Sequence, residues 1–150
     1  ILREMVEQVA IRLRRFGKKT TLVSIYVGFS KQEVRSSIHT QMKVEPTNNT
    51  AVLTNYVLKL FHNKYTSGAV RSVGVNYSGF VDEPFGLISL FDDVDKLEKE
   101  ERLQTAIDSI REQFGFTSLL RANALEEASR SLARSKLIGG HSAGGLDGLQ

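Results

Sequence analysis

Asp92, Asp93 and Asp95 are a carboxylate cluster of the kind that can hold magnesium for phosphoryl transfer. A two-metal site needs its carboxylates fixed on rigid elements, and these fall in a charged, loop-like run, so solvation and capping of a following helix is their expected role. His39, His62 and His141 have spacings that suit no zinc site, and the chain contains no cysteine. Neither a Ser-His-Asp arrangement nor a phosphate-cradling glycine loop is present, the glycine-rich stretch 139–145 included. No catalytic residue and no metal ligand is therefore assigned. The patterned polar residues are of another type. Ser37, His39, Gln41 and Lys43 occupy every second position of one run, and Ser72, Gly74, Asn76 and Ser78 do so in another, with Lys31, Arg35 and Arg71 at the run ends. Small hydroxyl and amide side chains let backbone N–H groups approach phosphates, while the cations attract a polyanion without regard to its sequence. An ordinary solvated sheet surface has the same pattern. A further stretch, Leu87-Ile88-Ser89-Leu90-Phe91, is apolar without alternation and too short for a helix of its own, which suits a partner's groove.

The elements that must position these residues follow from periodicity. Leu2, Met5, Val6, Val9, Leu13 and Phe16 recur at spacings of three and four and predict an amphipathic helix over 2–16, ended by Gly17 and carrying Arg3, Arg12, Arg14 and Arg15 on its other face. Thr20 to Ser30 is rich in β-branched and aromatic residues and predicts a strand with Val23, Ile25, Val27 and Phe29 on one face and Ser24 on the other. Ser36 to Glu45 predicts a second strand, with Ile38, Met42 and Val44 inward, hairpin-paired to the first. The sequence Pro46 to Thr50 is turn chemistry, with Thr50 as the N-cap of a helix to Lys64 that buries Leu53, Tyr56, Val57, Leu60 and Phe61. Val70, Val73, Val75, Tyr77 and Phe80 are the apolar set of the next strand. Within it Gly74 predicts either a close backbone approach, to phosphate for example, or contact with a neighbouring aromatic ring. Asp95 to Arg102 reads as a linker or a solvated first helical turn. Leu103, Ala106, Ile107, Ile110 and Phe114 predict a short amphipathic helix closed by Gly115, and Leu119 to Leu137 has moderate helical character with Leu125, Ala128 and Leu132 on one side. Residues 139–150, with five glycines, are expected to be a flexible tail.

Length and composition, 150 residues with 41% hydrophobic content, fit one ordinary domain with a tail. No apolar run is long enough to span a membrane, and the amphipathic, charged N-terminal stretch is not a signal peptide, so a cytoplasmic location with no membrane partner is expected. Because Ile1 already reads as part of a helix, a fragment of a longer protein is expected. The net charge of +3 is unevenly divided. Residues 1–71 hold 12 Lys/Arg against 4 Asp/Glu (+8), residues 72–127 hold 5 against 12 (−7), and residues 128–150 hold 3 against 1 (+2). The division points to a polyanion-facing part joined to an acidic part that faces elsewhere.

Arg71, Gly74, Val75, Ser78 and Phe80 match the "R-x-x-G-V-x-x-S-x-F" segment of Y-family (UmuC-type, UV-damage-repair) translesion DNA polymerases, and Leu87 to Phe91 resembles that family's clamp-binding "Q-L-x-L-F" peptide with Leu87 in place of the Gln. The Pro46-Thr47 turn, the helix after it and the segment ERLQTAIDSIREQFG from Glu101 are also similar to the family. The resemblance implies an α+β fold: a four-stranded sheet with two helices on one face, the little finger, over 20–93. A connecting helix (1–19) would precede it, an acidic, helical extension (94–138) would follow it, and a flexible tail (139–150) would end the chain. It implies non-sequence-specific contact with template-primer or damaged duplex DNA through Lys31, Arg35, Ser37, His39, Gln41, Lys43, Arg71, Ser72, Gly74 and Asn76. It implies clamp binding through Leu87, Ile88, Ser89, Leu90 and Phe91. Partners are then DNA, the sliding clamp and the rest of the polymerase, with magnesium expected only in a catalytic palm absent from this chain. The competing functional classes are a standalone nucleic-acid-binding αβ module, with RNA among its candidate ligands, and a protein-interaction adaptor using the apolar peptide; palm carboxylates upstream in the full reading frame would separate the polymerase reading from these.

Overall fold

The computed structural model describes residues 1–82, 94–125, 129, 132–133, 137–138 and 141–142. The chain forms two compact units, Leu2–Ser89 and, with Ile1, Leu90–Gln150. The first unit is a helix α1 (Leu2–Arg15), strands β1 (Lys18–Phe29) and β2 (Ser37–Thr47), a helix α2 (Thr50–Lys64) and a strand β3 (Val70–Asp82). The three strands make one antiparallel sheet in the order β2-β1-β3. The expected fourth strand falls on residues 83–93, outside the described residues, as do Leu87, Ile88, Ser89, Leu90, Phe91, Asp92 and Asp93.

The inward face of the sheet is covered by α1 and α2. Val23, Ile25, Val27 and Phe29 of β1 and Ile38 of β2 are buried with Leu53, Val57 and Leu60 of α2 and Val6, Ala10 and Leu13 of α1. The helix expected to be a connector is thus one of the two covering helices: an apolar stripe of that width must be buried, and the sheet is the surface available to it. Phe16 departs from expectation and is 77% exposed. The helix ends one residue before it, and Gly17, at φ +59° with its N–H donating to the Arg14 carbonyl, turns the chain away. Arg14 is structural rather than a free surface cation. Its Nη1 donates to the Asn48 carbonyl (2.7 Å) and to Thr50 Oγ1 (3.0 Å), which ties α1 to the start of α2. The N-cap of α2 is Asn49, not Thr50: the Asn49 side chain accepts from the N–H groups of Ala51 and Val52, and Thr50 is already buried in the first turn. Pro46 lies inside the end of β2, where the register against β1 shifts between Thr20 and Leu22; an irregularity is the place a strand tolerates proline.

Phe80 is 56% exposed and does not join the apolar face. Strict alternation from Val73, Val75 and Tyr77 puts an even-numbered residue on the opposite side, with Asn76 and Ser78. Tyr77 itself is buried, and its hydroxyl has no hydrogen-bond partner among the described residues. Burial pushes this phenol well above the ordinary tyrosine range, and the Arg14 guanidinium pulls it only part of the way back. Folded Tyr77 therefore keeps a proton that the unfolded chain releases near pH 10, so the associated stability is present below about pH 10 and is lost as the pH rises beyond it. Tyr77→Phe removes both the unpaired hydroxyl and this titration. Thermal melts should show the variant equal to or more stable than the wild type at pH 7, by up to about 1 kcal/mol, with a smaller decline between pH 9 and 11. A clear loss at pH 7 would mean that the hydroxyl has a partner.

In the second unit one continuous helix, α3 (Val94–Phe114), begins ahead of the expected linker and runs through it. Leu103, Ile110 and Phe114 of its predicted apolar stripe are exposed. The packing near its end is instead built on Arg111, which is buried, lies 4.7 Å above the Phe116 ring and donates twice to the Leu119 carbonyl (2.9 and 2.7 Å). Within 119–137 the described residues include a 3-10 turn, Ala122–Leu125, and helical backbone at Leu132 and Ala133; much of the stretch expected to have helical character lies outside the described residues. Leu137–Ile138 (β4) and His141–Ser142 (β5) pair as a short antiparallel ribbon where the glycine content predicted none. Among the described residues no helix is long and apolar enough to cross a membrane.

Candidate nucleic-acid interface

The outward face of the sheet is built from regular cross-strand rows, each centred on β1. Lys43, Leu22 and Ser78 form the first; Gln41, Ser24 and Asn76 the second; His39, Tyr26 and Gly74 the third; Ser37, Gly28 and Ser72 the fourth. Successive rows lie about 7 Å apart, two residues of strand rise. No carboxylate falls in these four rows. The predicted site residues on β2 and β3 thus come together on one surface, with His39, Gln41, Lys43, Ser72 and Asn76 exposed and Ser37 and Gly74 half-buried.

Lys31 and Arg35 lie in the β1–β2 connection and are exposed. Arg71 is also exposed and falls where the β1–β3 register shifts, between the Gly28/Ser72 and Phe29/Val70 pairs. Antiparallel pairing brings these three cations to the same end of the sheet, beyond the Ser37-Gly28-Ser72 row, while Lys43 stands at the other end. Glu33, in the same connection, is engaged with the backbone: its Oε1 accepts from the Ala69 N–H at 2.7 Å. Toward the opposite end Asp82 is held in an ion pair with Lys18. Cations at both ends and neutral polar groups between them give a surface suited to a polyanion lying across it. Among the described residues no group of three His, Cys, Asp or Glu is placed to hold a metal ion, and Asp95 is exposed on α3.

Three residues of this surface were missed by sequence reasoning, Leu22, Tyr26 and Gly28. Tyr26 is 37% exposed at the centre of the face, with its ring 4.7 Å from that of His39 and tilted 56° to it. Its ring leans along the strand over Gly28: a Cβ at Gly28 would stand 2.7 Å from the Tyr26 hydroxyl and 2.4 Å from Ser72 Oγ. The available signal was parity, since Tyr26 and Gly28 continue the even-numbered series begun by Ser24. Beside the ring, an open concavity of about 380 Å³ is lined by Ser24, Tyr26, His39, Gln41, Gly74 and Asn76, among others.

Residues 1–90 match the impB/mucB/samB family C-terminal domain. The chain is 35% identical over 94% of its length to a Bacillus subtilis (strain 168) protein named for UV-damage repair, UvrX, and 31% identical over 94% of its length to DNA polymerase IV 2 of the same strain. It is likewise 31% identical over 94% to DNA polymerase IV 2 of Halalkalibacterium halodurans. In each case it covers 34% of the relative, so the chain spans about a third of the length of the curated proteins it matches. Carrying that domain match over its helix-covered sheet, the chain belongs to the impB/mucB/samB family and holds its C-terminal domain.

Proposed function

We propose that this chain holds template-primer duplex DNA, without sequence preference, for a Y-family polymerase acting in DNA damage tolerance, and ties that polymerase to the sliding clamp. The observation that carries the DNA contact is the set of four carboxylate-free rows flanked by Lys43 at one end and by Lys31, Arg35 and Arg71 at the other. Ser37, Ser72 and Gly74 keep the surface low enough for backbone groups to reach phosphates, and His39, Gln41 and Asn76 supply hydrogen bonds around them. The clamp contact is assigned to Leu87, Ile88, Ser89, Leu90 and Phe91. Nucleotidyl transfer, and the magnesium it uses, belongs to a catalytic core outside these 150 residues, and the whole acts in the cytoplasm.

The test of the DNA contact is salt dependence. Affinity for a short duplex, measured by fluorescence anisotropy at several salt concentrations, should give a log-log slope of about −3 to −5 for a handful of neutralised phosphates. Lys43→Ala and Arg71→Ala should each reduce that slope by about one, equally for unrelated duplex sequences. Affinity indifferent to salt, or strong preference for one sequence, would overturn the proposal.

A further inference from the structure

Duplex binding leaves one part of the outward face unexplained. A paired base offers a protein only its groove edges, whereas the concavity beside Tyr26 presents an aromatic wall with an amide row across from it. Its volume, about 380 Å³, is large enough to seat a small planar group against its wall. At Gly28 a side chain would displace the Tyr26 ring and the Ser72 hydroxyl, whereas at Gly74 it would displace nothing. A Cβ there would meet nothing closer than Tyr26 Cβ at 3.5 Å, an ordinary contact, and its backbone is in a conformation open to any residue. Glycine inside a strand weakens it, so the open floor at Gly74 has a cost that packing does not account for. The groups around that floor are a tyrosine and a histidine ring on one side and the Gln41 and Asn76 side chains on the other, with Ser24 between them and its hydroxyl directed to the Asn76 carbonyl (3.3 Å). Aromatic rings beside amide donors and acceptors are the combination that receives an unstacked nucleobase: the rings contact its π-face, and the amides satisfy its exposed hydrogen-bonding edge.

We infer that the concavity bounded by Tyr26, His39, Gln41, Gly74 and Asn76 is a pocket for a single unpaired base extruded from the bound DNA duplex. The inference rests on the outward face being the DNA-binding face. An extruded base has already lost its stacking and pairing, so the pocket selects helices in which a nucleotide has no partner.

The test compares three duplexes of otherwise identical sequence by fluorescence anisotropy: one fully paired, one with a single unpaired adenine, and one with an unpaired abasic residue that keeps the extra backbone unit but has no base. The wild-type chain should bind the unpaired-adenine duplex about five- to tenfold more tightly than either of the others. Tyr26→Ala and Gly74→Val, the latter filling the floor, should bring the ratio of affinities to about one, and Tyr26→Phe should keep it; circular dichroism of each variant establishes that it is folded. A ratio near one in the wild type, or an equal preference for the abasic duplex, overturns the pocket while leaving salt-dependent duplex binding in place. Binding to none of the three overturns the DNA-face assignment and the pocket with it.

Discussion

Leu90→Ala combined with Phe91→Ala should abolish binding to the sliding clamp while leaving thermal unfolding of the chain nearly unchanged. Each side chain contributes about 1.5 to 3 kcal/mol on entering an apolar pocket, so the pair accounts for about 3 to 6 kcal/mol, or roughly two to four powers of ten in affinity. The starting affinity should be modest. A glutamine at the first position of the peptide offers a donor and an acceptor, Leu87 offers neither, and each missing hydrogen bond is worth about 0.5 to 1.5 kcal/mol. Leu87→Gln should accordingly tighten binding in titration calorimetry. The competing account is that Phe85, Leu87 and Leu90 finish the sheet as its fourth strand. On that account the double variant loses several kcal/mol of stability, and a wild-type chain with no clamp affinity at high micromolar concentration would point the same way.

Leu53→Ala should give the opposite signature, a loss of about 2 to 5 kcal/mol in denaturant unfolding. Leu53 is fully buried in the first turn of α2, within the cluster that joins both helices to Val23, Ile25 and Val27 of the central strand. Truncation removes its contacts with that cluster and leaves a void that close-packed neighbours fill only partly. Its DNA contacts should survive in the folded fraction, because the affected side of the sheet is the one away from the polar rows. A loss below about 1 kcal/mol would mean that α2 does not seal the sheet.

Most of the first unit was legible because period-two and period-three-or-four patterns report directly on which side of an element is covered. The inward sets of β1 and β2 and the α2 stripe were placed correctly from that signal alone. Phe16 and Phe80 were misassigned because apolar character was allowed to outweigh position: one lies past a helix end and the other has the wrong parity. Asn49 and Thr50 are both good capping residues, and only backbone geometry chooses between adjacent candidates. Of the candidate site, the rows on β2 and β3 were readable; parity with Ser24 also marks Tyr26 as outward, but only the pairing shows that it shares a row with His39 and Gly74. The stripe of α3 failed for a different reason. Periodicity states that a face could be buried and says nothing about whether anything covers it.

The order β2-β1-β3 also fixes when this sheet can be finished. The hairpin between β1 and β2 closes over a short connection, with Gly28 opposite Ser37. The other side of β1 waits for β3, whose pairing with it runs from Phe29 opposite Val70 to Lys18 opposite Asp82, after all of α2. Loop closure over that span is the slower of the two pairings. On a ribosome adding about 5 to 20 residues per second, β1 is made several seconds before its second neighbour exists. For that interval the most buried strand of the finished protein is an open edge on the nascent chain, the kind of surface that recruits a chaperone or another unfinished copy.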